Sequence, residues 1–266
     1  MSMRTFWAST PVFTRKELEE SLQANNSSNR NTSNSRLAHH VRAGHVIQIR
    51  RGLYAGVPVG ADPESFTPDP WLIASKLAED AVIAFHSAFQ FHGRAYTVWN
   101  EYLFVSKRRM RPFVFRGCRF RSVSPQKALV GQGKELFGVE KVDRFSQDIL
   151  VASLERSLVD MLHRPDLSGG WEEIWRSAES VEYYDIQQVV KYALLLHNAT
   201  TAAKVGFFLE QHGEKLQVDD RQLNRLRETR SSQPHYMDKG SSGKMVKNWN
   251  LIVPEQILAR SWEVEA

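Results

Sequence analysis

The chain has 266 residues, 42% of them hydrophobic and seven of them tryptophan, enough for a buried core, so composition excludes a disordered polymer. Its formal net charge is +5 and its pI about 9.3, a basic excess suited to nucleic acid or to an anionic membrane surface. No apolar run approaches the ~18–20 residues of a membrane span, MSMRTFWASTP lacks the apolar stretch of a signal peptide, and the lone Cys118 excludes an intrachain disulfide and a cysteine-built zinc cage, so a reducing cytoplasm is the expected setting.

In chain order, the first marked element is FTRKELEESL. Thr14 and Glu17 have the spacing of a capping box, and Phe13 with Leu18 that of a hydrophobic staple, predicting a helix to about Leu22. No large apolar side chain occurs from Asn25 to Asn34, which predicts a loop. A second helix is expected over about Asn31–Ala43, stopped by Gly44 and burying Leu37 and Val41. Its opposite face would carry Thr32, Ser35, Arg36, His39 and Arg42, the short polar and cationic groups that a recognition helix presents to base edges. Val46–Ile49 and Leu53–Val57 can pair as a hairpin across Arg50-Arg51-Gly52. From Ser21 to Ala61 there are five arginines (Arg30, Arg36, Arg42, Arg50, Arg51) and no acid, a strip suited to a phosphate backbone. Helix, basic helix and Arg-tipped hairpin predict an N-terminal winged helix-turn-helix over residues 1–60. Such a core normally holds a third helix, expected either as a short piece around Arg4–Ser9 or replaced by packing from a second domain.

The Pro-, Gly- and acid-rich run 56–70 reads as a linker, with Pro70 opening a helix through WLIASKLAED. Residues 61–266 then read as a mixed α+β domain: strands in AVIAFH, YLFVS, FVFRG and CRFRSVS, short helical pieces around Ser87–His92 and Gln126–Leu129, and a mostly helical C-terminal part from Ile149 onward. In the helix around LERSLVDML, Leu154, Leu158 and Met161 or Leu162 share an apolar stripe, while Arg156 and Asp160, four apart, read as a surface ion pair.

Residues 107–121 hold seven basic side chains (Lys107, Arg108, Arg109, Arg111, Arg116, Arg119, Arg121) and no acid. Strand alternation puts Arg119 and Arg121 on one face and Cys118 and Phe120 on the other. This segment is either a second nucleic-acid or acidic-protein surface, which makes a protein-interaction module the alternative function, or a strand pair with one wet, basic face. Enzyme readings find little support, and no catalytic residue is assigned. No [DE]-x-K triplet of the common nucleases occurs, no aspartate follows Gly240-Ser241 as a nucleotidyltransferase would require, and G-x-S-x-G is absent. The glycine- and lysine-rich run 239–250 lacks P-loop spacing and reads as a plain loop. The nine histidines form no metal motif, so neither metal nor cofactor is expected.

FTRKELEESL with RRGLYAG, then LERSLVDML (154–162) and WNLIVPEQIL (249–258), together resemble the AbiEi-type antitoxins, bacterial transcriptional regulators of abortive-infection (type IV) toxin–antitoxin systems. The resemblance spans the chain. It implies an N-terminal winged helix that represses its own operon by binding double-stranded DNA at promoter repeats, with a homodimer on DNA compatible with such repeats. It also implies a C-terminal domain that neutralises a nucleotidyltransferase-type toxin without needing a stable complex. By motif position the DNA-reading helix maps to about Asn31–Ala43 and the wing to Val46–Val57. The family supplies no catalytic residues.

Overall fold

The computed structural model describes residues 3–24 and 30–263, those at 3, 4, 30–32 and 263 by their backbone alone. The chain is α+β and divides into two compact units. One comprises Met1–Ile83, Asn100–Val123 and Lys141–Val151; the other comprises Ala84–Trp99, Ser124–Glu140 and Ala152–Ala266. Compactness therefore does not part the chain near residue 60. The run 56–70 is pinned inside the first unit: Asp62 closes a turn with the Ser65 hydroxyl (2.9 Å), the Pro63 carbonyl accepts from Arg116, and Asp69 caps the next helix. Prolines and glycines here mark turns rather than a domain edge.

The first unit begins with helix α1 (Met3–Ser9), strand β1 (Val12–Thr14), helices α2 (Arg15–Ala24) and α3 (Arg30–Arg42), and the hairpin β2 (Val46–Arg50)–β3 (Leu53–Gly56). The three strands form an antiparallel sheet in the order β1-β3-β2. The expected capping box is present. The Thr14 amide donates to Glu17 (2.7 Å), and the Glu17 amide donates to the Thr14 hydroxyl (3.2 Å). Phe6, Trp7, Phe13, Leu18, Leu22, Leu37 and Val46 make one core, so the short N-terminal helix packs with α2 and α3.

The same unit continues with α4 (Pro70–Lys76) and a six-stranded sheet built from β4 (Val82–Ile83), β5 (Glu101–Val105), β6 (Phe113–Phe115), β7 (Cys118–Val123), β8 (Val139–Arg144) and β9 (Gln147–Ala152). The sheet order is β6-β7-β5-β4-β9-β8. Pro70 opens α4 as expected, but the helix stops at Lys76 rather than running to Asp80. Ile149–Ala152, expected as helix, is strand: Val82 and Ile83 pair with Leu150 and Val151, and non-local partners override a short apolar run.

The second unit is mostly helical: α5 (His86–Phe91), α6 (Lys127–Gln132), α7 (Leu154–His163), α8 (Trp171–Glu179), α9 (Ile186–Leu195), α10 (Ala199–Gln211), α11 (Gly213–Leu216), α12 (Asp220–Arg227) and α13 (Glu255–Leu258). Ser153, Asp185, Asn198 and Asp219 cap their helices by accepting backbone amides. A small sheet, in the order β10-β12-β11, joins β10 (His235–Tyr236), β11 (Lys244–Val246) and β12 (Leu251–Val253), so part of the run read as a plain loop is strand. Trp175, Tyr192, Phe208 and Trp249 anchor the core.

Candidate nucleic-acid interface

Helix α3 rests on the first unit's core through Ser33, Leu37 and, half-buried, Val41. Its start at Arg30 shows that the polar run from 30 to 34 is helical rather than loop; residues 25–29 lie outside the described residues. Ser33 is small enough to be buried there, and Asn34, half-exposed, accepts a hydrogen bond from Arg15. Ser35, Arg36, His39 and Arg42 are all exposed, as the periodicity predicts. Thr32 lies in the first turn, and its side chain is outside the described residues. Gly44 ends the helix with φ +71° and Gly52 turns the hairpin with φ +84°, conformations that L side chains rarely adopt.

Within RRGLYAG the residues divide by role. Leu53 and Ala55 are buried and Tyr54 stacks on Phe13 at 6.0 Å, so this part of the motif is structural. Arg50 and Arg51 project from the turn. The Arg50 guanidinium lies 5.2 Å from the centre of the Phe113 ring, a contact that orients the cation without neutralising it. No carboxylate among the described residues pairs with Arg36, Arg42, Arg50 or Arg51. Between α3 and the hairpin runs a groove of about 470 Å³ lined by Arg15, Asn34, Ala38, Arg42, Gln48 and Tyr54, among others. Arg15, Asn34 and Gln48 join the candidate surface in this way. Gln48 was legible as the outward residue between Ile47 and Ile49, whereas Arg15 was hidden in the capped helix.

The second basic segment is not one surface. Arg119 and Arg121 share a strand face, as alternation predicts, but both pair with Glu101 on the adjacent β5, at 3.1 and 3.3 Å. Arg116 bonds to the Pro63 carbonyl and lies over Phe115 at 5.4 Å. The Lys107 amide donates to Asp80 at 2.8 Å. Arg108, Arg109 and Arg111 remain exposed, with no carboxylate partner among the described residues. The acid that divides the segment comes from a neighbouring strand and is invisible within 107–121.

Two further titratable clusters are interior. Burial pushes the Glu173 carboxyl up, but hydrogen bonds from His86, Thr97 and Ser177 outweigh it and hold the group down at about 2. His86 is fully buried and stacks on Trp99 at 3.7 Å. Arg156 and Asp160, expected as a surface pair, are both 2% exposed and 3.4 Å apart. Arg156 also donates to the carbonyls of Glu135 and Phe137, at 2.6 and 2.8 Å, and the Tyr192 hydroxyl donates to Asp160 at 2.8 Å. Burial pushes the Asp160 carboxyl up against the pull of Arg156 and Tyr192. Burial also raises the Cys118 thiol, which disfavours the thiolate a nucleophile needs. Among the described residues no three His, Cys, Asp or Glu side chains gather as metal ligands, and no helix is long and apolar enough to cross a membrane.

No protein-family model and no curated protein matches this chain. Among solved structures, the RV2827C protein from Mycobacterium tuberculosis is similar, with a TM-score of 0.61 and 16% sequence identity, over 99% of this chain and 93% of that one. At that identity the likeness is one of fold.

Proposed function

We propose that this chain reads duplex DNA through a winged helix-turn-helix formed by α1–α3 and β1–β3. The observation that carries this reading is the adjacency of two acid-free basic features: the outward face of α3 and the Arg50-Arg51 turn of the hairpin beside it. In this reading α3 enters the major groove and presents Ser35, Arg36, His39 and Arg42, with Thr32 at its start, to base edges. The hairpin is the wing, and its two arginines touch the phosphate backbone. Phosphate contacts give affinity and register; the helix gives sequence preference.

The resemblance of RGLYAG, SLERSLVD and WNLIVPE to the AbiEi-type antitoxins supports a finer proposal. The chain represses its own operon from promoter repeats, as a homodimer on DNA, and its second unit neutralises a nucleotidyltransferase-type toxin in the cytoplasm without a stable complex. The interaction-module reading loses ground because Arg119 and Arg121 share the Glu101 carboxylate, which neutralises half of their charge.

The test is binding to the DNA upstream of its own gene across a salt series. The variant combining Arg36→Ala, Arg42→Ala, Arg50→Ala and Arg51→Ala is expected to lose promoter binding; wild-type-like binding would sink the proposal. For the finer reading, co-expression with a neighbouring nucleotidyltransferase is expected to restore growth, and unrelieved toxicity would count against it.

A further inference from the structure

Two basic segments more than fifty residues apart in sequence meet around one concavity. Arg50 and Arg51 enter from the hairpin, Lys76 from the end of α4, and Arg108 from the connection between β5 and β6. The hollow measures about 180 Å³, and no carboxylate lines it. The adjoining hollow, about 480 Å³, is the opposite case: Glu17, Glu20, Glu79 and Asp148 line it along with Lys16, Lys76 and Arg108. Within the smaller hollow, Lys76 is answered by Glu17 and Arg50 is steadied over Phe113, while Arg51 and Arg108 have no carboxylate partner among the described residues. Crowding cations without an acid costs electrostatic free energy that an anion would offset. Guanidinium forks match a tetrahedral oxyanion by paired hydrogen bonds. The hollow is smaller than the roughly 300–1,000 Å³ of sites that enclose a small organic ligand.

We propose that this concavity seats a backbone phosphate of the duplex read by α3, so that Arg108, with Arg109 and Arg111 beyond it, extends the contact past the hairpin. The proposal rests on the DNA-binding reading above and adds to it a phosphate contact made by residues outside the winged helix. Arg108 then carries affinity without sequence preference.

The experiment measures binding of the full chain to two duplexes of equal length, one from the region upstream of its own gene and one of scrambled sequence, each across a salt series. Arg108→Ala is expected to flatten the dependence of log K on log salt by about 0.9, the loss of one phosphate contact, and to weaken both duplexes by the same factor. Arg108→Lys, which keeps the charge, is expected to restore most of the slope. An unchanged slope in Arg108→Ala, with Arg36→Ala still weakening the upstream duplex, would overturn the phosphate seat and leave the helix reading standing. Loss of sequence preference in Arg108→Ala would also overturn it. Titration with inorganic phosphate distinguishes the other source of the anion. Sub-millimolar binding that Arg108→Ala abolishes, without change in the duplex slope, would assign the hollow to a small free anion and overturn the proposal. If wild-type protein binds neither duplex, both readings fall together.

Discussion

The two units handle charge in opposite ways. On α3 and the hairpin of the first unit, Arg36, Arg42, Arg50 and Arg51 stand exposed with no carboxylate partner among the described residues. In the second unit, Arg156 and Asp160 are removed from water almost completely, and every bond they make is internal. The same side chain is thus an exposed cation in one place and a structural strut in the other. Burial decides which, and burial is set by what packs on the far side of the helix. Helix α3 is covered on one face only. Helix α7 meets α5, α8, α9 and α10, so its polar face is covered as well.

This contrast can be broken at either end. The largest effect is expected at Arg156→Ala, which strands the Asp160 carboxylate and two carbonyls in the interior. Removing one partner of a buried pair costs about 3–5 kcal/mol, and denaturant or thermal unfolding should show it. Replacing both residues with Arg156→Met and Asp160→Leu should cost less than the single change, because no charge is left unpaired. A surface-like cost below about 1 kcal/mol for Arg156→Ala would contradict the burial.

At the other end, Arg36→Ala with Arg42→Ala should leave the unfolding midpoint unchanged while weakening DNA binding by about 1–3 kcal/mol for whichever residue reads a base. Binding measured at fixed salt and circular dichroism melts together check this. A fall in stability with unchanged binding would invert the assignment.

The legible parts of the fold are those fixed by local chemistry. The Thr14–Glu17 capping box, the Gly44 and Gly52 conformations, the hairpin around Arg51 and the exposed face of α3 depend on side chains a few residues apart. What sequence reading missed depends on distant partners. Ile149–Ala152 is strand because β4 pairs with it, and the Arg119–Arg121 face is half neutralised because β5 lies parallel to β7 and places Glu101 beside both. Lys76 and Arg108 meet the hairpin only through folding of the whole first unit, so no local pattern could join them to Arg50 and Arg51.

Glu101→Gln tests that neutralisation. Arg119 is half exposed, so the pair contributes little to stability, below about 1 kcal/mol. Freeing Arg119 and Arg121 should raise affinity for any duplex roughly two- to fivefold at low salt, an advantage that added salt screens away. Unchanged low-salt binding would place this strand face away from the DNA.

The last effect concerns pH and belongs to the second unit alone. Burial lowers the His163 imidazole to about 4, with Lys204 and Arg164 adding to the shift, and its Nδ1 lies 2.6 Å from the Thr201 hydroxyl. A folded-state value below the unfolded one means that the unfolded chain binds the extra proton first. The stability this neutral histidine contributes is therefore complete above the unfolded value near 6.5 and is lost as pH falls from there toward about 4. Glu173, held at about 2, adds a second loss only below about 4.5, so above that pH the fall belongs to His163 alone. Unfolding midpoints should fall between pH 7 and pH 5 in the wild type. They should fall less in His163→Gln, whose amide keeps a hydrogen-bonding group near Thr201 but takes up no proton. Equal slopes in the two proteins over that interval would show that the imidazole is not what the folded chain keeps neutral.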